Sequence, residues 1–94
     1  MIQGFIDSEA ELIWSGRRSR KLPADIQNVA LRKLRLLNQA RVLSDLRVPP
    51  GNRLEARGAD RRGQHSIRIN DQWRICFAWD EGRPSRVEIV DYHA

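Results

Sequence analysis

The hydrophobic period of the chain changes near its middle. Over residues 24–40, Ile26, Val29, Ala30, Leu34, Leu37 and Ala40 recur at steps of three and four. That spacing places them on one stripe of an α-helix, with Arg32 and Arg35 on the opposite side. Pro23 suits the first turn of this helix, and Asp25 suits the positive end of its dipole. Upstream, Asp7 or Ser8 can cap a shorter helix that runs to Ser15 and stops at Gly16. Residues 2–6 can form a short opening strand. Arg17, Arg18, Arg20 and Lys21 make a basic loop between the helices.

Beyond Pro49, Pro50, Gly51 and Asn52 the period falls to two. Leu54 and Ala56 alternate with Arg53, Glu55 and Arg57, and Ile67 and Ile69 with Ser66, Arg68 and Asn70. Trp73, Ile75, Phe77 and Trp79 alternate with Arg74, Cys76 and Ala78, and Val87 and Ile89 with Glu88 and Val90. Each run reads as a strand with one buried face. Asn70, Asp71 and Gln72 form a tight turn, residues 80–85 a longer connection, and residues 60–63 the remaining turn. Helices followed by strands predict an α+β fold, with two N-terminal helices packed on a small antiparallel sheet. The 94 residues suffice for one core, so a single domain over 1–94 is expected.

Composition narrows the function classes. Hydrophobic residues at 40% and charged residues at 31% describe a folded chain. The net charge is +5, and Lys21 and Lys33 are the only lysines. Arginine grips phosphate bidentately, so this enrichment points to a phosphate-bearing partner; a GC-rich genome would produce it without one. Cys76 is the only cysteine, which excludes an intramolecular disulfide. With two histidines beside it, no structural zinc site is expected, and no metal or cofactor. Asp7, Glu9 and Glu11 interrupt any signal peptide, and no run approaches the roughly 20 apolar residues of a membrane span. The expected compartment is the cytoplasm.

Two groups of residues carry candidate chemistry. Strand parity gathers Arg53, Arg57, Arg68 and Arg74 on the sheet face opposite the helices, where they would line a groove for a polyanion. Solvated strand positions are also often basic. At the chain's end, Asp91, Tyr92 and His93 put an acid, a phenol and an imidazole side by side, groups that move protons near neutral pH. A frayed polar terminus is the plainer account. In a strand Asp91 and His93 share one side and Tyr92 takes the other. His65 has the parity of Ile67 and Ile69 and is expected to border the core. Trp73 and Trp79 are expected to pack rather than stack on bases. Cys76 is central in its strand, with no histidine evidently placed to activate it.

The runs Pro-Pro-Gly-Asn-Arg-Leu-Glu at 49–55, Gly-Gln-His-Ser-Ile-Arg-Ile-Asn at 63–70, Gln-Trp-Arg-Ile-Cys-Phe at 72–77 and Val-Glu-Ile-Val-Asp-Tyr-His at 87–93 resemble the HigB/GraT-type toxins of the RelE superfamily. The resemblance spans essentially the whole chain and is most specific in its second half. It implies a RelE-like fold and a ribosome-dependent endoribonuclease that cleaves translated mRNA. It also implies a HigA-type helix-turn-helix antitoxin as partner, through which the pair reaches operator DNA.

Carried over residue by residue, Asp91, Tyr92 and His93 match the family's C-terminal active-site stretch. Arg74 matches an arginine that faces the scissile phosphate. Some members carry a histidine where this chain has Glu55, and a lysine near Gly58 or Ala59, so the split between acid and base stays open. On this reading Arg74, aided by Arg68, stabilises the phosphate, and His93 is the general acid or base. Asp91 orients His93 or accepts a proton, Glu55 is the opposing base, and Tyr92 orients the nucleophile or stacks on a base. Arg17, Arg18, Arg32 and Arg35 would dock ribosomal RNA. A nucleic-acid-binding module without chemistry and an antitoxin-binding regulator are the alternatives.

Overall fold

The computed structural model describes residues 1–56 and 63–92. Helix α1 (Ser8–Trp14) begins at Asp7, whose Oδ1 accepts a hydrogen bond from the Glu9 amide at 2.9 Å. It gives way at Gly16, where φ is +86°, a value that glycine adopts without steric cost. Helix α2 (Ala24–Gln39) buries Ile26, Ala30, Leu34 and Leu37 on the expected stripe. Pro23 stands one position earlier than expected, at the N-cap.

The loop between the helices is basic at its surface and anchored underneath. Gln27 is buried on α2, and its Nε2 donates to the carbonyls of Ser19 and Leu22, both at 2.9 Å. Its Oε1 accepts from the Ser19 amide at 3.0 Å. The Ser19 hydroxyl donates to Glu9 Oε1 at 2.6 Å, which ties the loop to α1 as well. Arg17, Arg18, Arg20 and Lys21 stay exposed around this anchor.

Two 3-10 turns that the periodicity did not announce follow α2, over Leu43–Arg47 and Pro50–Asn52. Strands β1 (Glu55–Ala56), β2 (Gln64–Arg68), β3 (Trp73–Asp80) and β4 (Arg83–Asp91) then pair in sequence order, each antiparallel to its neighbour. Arg53 and Leu54 precede β1 rather than joining it. Residues 2–6 make no strand of their own, apart from a parallel bridge between Phe5 and Val87. Hydrogen bonds from the Gln3 amide to the Pro84 carbonyl at 2.8 Å and from the Val87 amide to the Gly4 carbonyl at 3.1 Å cover part of the β4 edge.

Both described turns follow from local chemistry. Between β2 and β3, Asn70 Oδ1 accepts from the amides of Gln72 and Trp73 at 2.9 and 2.8 Å. Between β3 and β4 the connection is only Glu81 and Gly82, both at positive φ. Two successive left-handed residues match the twist of a tight hairpin, so the turn is shorter than the 80–85 span expected. Of the turn expected at 60–63, residues 60–62 lie outside the described residues. A register shift between Cys76 and Ala78 marks a bulge, with Arg86 at φ +52° opposite it. A bulge adds bend and twist to the pair.

One face of the sheet packs Ile67, Ile75, Phe77, Val87 and Ile89 against Ile13, Ile26, Leu34, Leu37 and Leu46. Full burial of such a side chain contributes about 1.5–3 kcal/mol, so this layer dominates the favourable side of folding. Trp73 and Trp79 pack against its margin. Asp7 closes the layers, because its Oδ2 accepts from the Ile89 amide at 3.1 Å while Oδ1 caps α1. The opposite face of β3 departs from expectation. Arg74, Cys76 and Ala78 are buried too, so the centre of that face is not a solvated surface.

Candidate active site

The site is built from strand register. Glu55 lies opposite Ser66, Ser66 opposite Cys76, Arg68 opposite Arg74, and Arg74 opposite Val90. Directly paired residues project to the same side, so these positions share the face away from the helices. The Tyr92 amide donates to the Gln72 carbonyl at 2.7 Å and carries the pairing one residue beyond β4. Its ring therefore returns to the same face, and Arg74 Cζ stands 5.4 Å from its centroid. That is cation–π range.

Arg74 is 6% exposed, and the groups around it compensate for its burial. Its Nε donates to Ser66 Oγ at 2.9 Å. Its Nη2 donates to the Arg53 carbonyl at 2.5 Å and to the Ser66 carbonyl at 3.3 Å. Its Nη1 lies 3.9 Å from Glu55 Oε1, beyond hydrogen-bond reach but close enough for charge attraction. The Tyr92 hydroxyl reaches Ser66 Oγ at 3.4 Å, a long contact. A buried guanidinium without partners would be prohibitive, and three accepting oxygens offset the desolvation.

The Arg53 carbonyl owes its position to neighbouring residues. Arg53 is left-handed at φ +45°, so its side chain is exposed and leaves the strand pattern while its backbone turns inward. Asn52 before it is fully buried. Its Nδ2 donates to the carbonyls of Leu46 and Val48 at 3.1 and 3.3 Å, and its Oδ1 accepts from Lys33 Nζ. Burial first, then the positive charges of Arg32 and Arg68, hold the Lys33 ammonium below its ordinary range. In the sequence Asn52 only marks the place where the period changes. A buried asparagine that bridges two turns carries no periodic signal, so it escapes a pattern-based reading.

The expected site residues separate into groups. Arg74, Glu55 and Tyr92 come together. Arg68 is beside Arg74 in register, but its Nη2 is engaged by Asp71. Arg53 joins through its backbone, a correction to its expected place on the basic strand face. Asp91 lies opposite Trp73, on the helix side of the sheet, with Gln72 Nε2 donating to its Oδ2 at 2.9 Å. It therefore does not share the face of Arg74. Arg57 and His93 lie outside the described residues. Arg17 and Arg18 are exposed on the inter-helix loop, and Arg32 and Arg35 on the outward side of α2. His65 borders the core as expected, its ring 6.0 Å from Phe77, and desolvation lowers its pKa below the usual 6.5. Cys76 is buried.

Chemically, the arrangement presents one guanidinium edge. The protein consumes Nε and Nη2, while Nη1 faces a carboxylate, and the guanidinium stands over the ring of Tyr92, a residue that is 45% exposed. An incoming oxyanion would meet Nη1 after displacing the exposed Glu55.

Two short helices over a four-stranded antiparallel sheet, with this arginine on the opposite face, define a RelE-like toxin fold. Residues 7–93 match the family described as the RelE-like toxin of type II toxin-antitoxin system HigB, and the chain belongs to that family. It is 46% identical over 66 residues to Toxin HigB-1 of Vibrio cholerae, covering 70% of each chain. It is also 32% identical over 79 residues to an uncharacterized protein of Haemophilus influenzae, covering 84% of this chain and 77% of that one. The chain is thus a toxin of the type II class, whose counterpart is an antitoxin. Among the described residues no helix is long and apolar enough to cross a membrane.

Proposed function

We propose that this toxin is an endoribonuclease that cuts messenger RNA on the translating ribosome, in the cytoplasm. The observation that carries the reading is Arg74, a buried guanidinium held at Nε and Nη2, with Nη1 facing a carboxylate and the Tyr92 ring 5.4 Å from Cζ. Cleavage of RNA by its own 2′-hydroxyl needs a base, an acid and a cation for the crowded phosphorus. Arg74 Nη1 supplies the cation. Glu55 or His93 takes the 2′-hydroxyl proton as the 2′-oxygen bonds to phosphorus. The bond to the 5′-oxygen breaks, and the leaving oxygen takes a proton from the acid, for which His93 is the first choice because an imidazole titrates near pH 6.5. The products are a 2′,3′-cyclic phosphate, or the 3′-phosphate after hydrolysis, and a 5′-hydroxyl.

Tyr92 stacks on a base or orients the nucleophile. Asp91 orients His93. Arg53, Arg57 and Arg68 contact RNA near the cut, and Arg17, Arg18, Arg32 and Arg35 contact ribosomal RNA. With so few proton-transfer groups, a substrate already held in cleavable geometry would supply much of the acceleration, which is the physical reason for working on the ribosome. The antitoxin in this reading is a HigA-type helix-turn-helix protein, and operator DNA is reached through it.

The test is expression of the chain without its antitoxin, with primer-extension mapping of RNA ends on a messenger with and without its start codon. Cuts confined to the translated form, and lost in Arg74→Ala, are expected. Equal cutting of both forms removes the ribosome from the reading, and no cutting of either removes the nuclease.

A further inference from the structure

Ser66 is wholly buried at the centre of β2, on the face that carries Arg74. Nothing in the periodicity requires a hydroxyl there, since Cys76 and Ala78 fill comparable buried positions on β3. A hydroxyl removed from water is tolerated only with hydrogen-bond partners. The Ser66 partners are both site residues: it accepts from Arg74 Nε at 2.9 Å, and the Tyr92 hydroxyl approaches it at 3.4 Å.

We infer that Ser66 is a positioning residue, whose hydroxyl sets the plane of the Arg74 guanidinium and keeps the Tyr92 phenol in register with it. This rests on the nuclease reading above. The geometry divides the work between two edges of the guanidinium. Ser66 meets Nε with its hydroxyl and Nη2 with its carbonyl, and Arg53 meets Nη2 with its own carbonyl. Backbone carbonyls persist through any substitution, so only the hydroxyl distinguishes serine from alanine. Without it the Nε edge loses its acceptor, and the guanidinium turns about its last torsions. Nη1, the edge that meets phosphate, then moves, and the phenol loses its hydroxyl contact. A displacement of about 1 Å at such a site can cost on the order of 100-fold in rate.

Two substitutions test the hydroxyl. Ser66→Ala removes it, and Ser66→Cys keeps the volume while replacing oxygen by a weak acceptor. The first readout is the Arg74 Nε–H resonance of the free protein. In the wild type it should exchange slowly with water and sense the Tyr92 ring current. The second is single-turnover cleavage on programmed ribosomes. The expected result in both variants is a fast-exchanging Nε proton and a rate constant lowered tenfold or more, with the half-saturating ribosome concentration unchanged. A protected Nε proton in the variants, or an unchanged rate despite its loss, overturns the inference. Should the alanine variant fail to fold, the cysteine variant decides on the same two readouts. A wild type that cuts no translated messenger defeats the nuclease reading, and the Nε resonance alone then decides whether this hydroxyl holds Arg74.

Discussion

Arg74 shows how far a single side chain can depart from the rule that charges stay in water. Its three accepting oxygens come from two segments, β2 and the turn before β1, so the ion also ties that turn to the sheet. Arg74→Lys keeps the charge but cannot reach all three acceptors with one ammonium. We expect it to lose about 1–3 kcal/mol of stability in urea unfolding, and activity comparable to Arg74→Ala. Activity near the wild type would mean that charge alone suffices there. His65 gives a prediction in pH. Desolvation lowers its folded-state pKa, so the neutral ring is the form that fits the fold. Its contribution is fully present above the unfolded value of about 6.5 and is lost as pH falls through the lower folded value. His65→Phe should flatten the decline in unfolding free energy just below pH 6.5, measured by chemical denaturation at several pH values. An unchanged slope would place the titration elsewhere.

Elements here are held at their ends as much as along their faces. Asp7 caps α1 with one oxygen and accepts the Ile89 amide with the other, so one carboxylate links the first helix to the last strand. Loss of a cap typically costs about 1 kcal/mol, and an orphaned strand amide adds a similar amount. Asp7→Ala should therefore lower the unfolding free energy by about 2 kcal/mol and speed hydrogen exchange at Ile89. Slow exchange at Ile89 in the variant would contradict the double role. The same elements show what was legible in the chain. The helical stripe through Ile26, Ala30, Leu34 and Leu37 and the alternation of Val87 and Ile89 with Glu88 and Val90 follow from burial of one face, and periodicity reports burial directly. Arg53 was misplaced because a left-handed residue breaks alternation without changing composition. Asn52 and Ser66 carry no such signal, because their importance lies in hydrogen-bond partners 4, 6 and 19 residues away for Asn52 and 8 and 26 residues away for Ser66, and bonds at such mixed separations have no period. Parity had separated Tyr92 from Asp91, and the register adds that it is Tyr92 that faces Arg74.

At the scale of the molecule, positive charge sits on two sides of one core. Arg17, Arg18, Arg32 and Arg35 are exposed on α2 and the loop before it, and Arg74 is on the face of the sheet away from the helices. A net charge of +5 attracts any polyanion, but the two sides should do different work. Exposed arginines that contact ribosomal phosphates contribute to association, and each lost contact lowers the dependence of affinity on salt by nearly one counterion. A fixed arginine at the scissile phosphate contributes mainly in the transition state. Reversing Arg17, Arg18, Arg32 and Arg35 together to glutamate should therefore raise the ribosome concentration needed for half-maximal cleavage and flatten its salt dependence. The single-turnover rate at saturation should change little. Arg74→Ala should do the reverse, with a rate constant lower by 100-fold or more and association nearly intact. If the helical-side variant instead loses its saturating rate while keeping its salt slope, those arginines are not docking groups. The helical layer would then serve only to hold the sheet in shape.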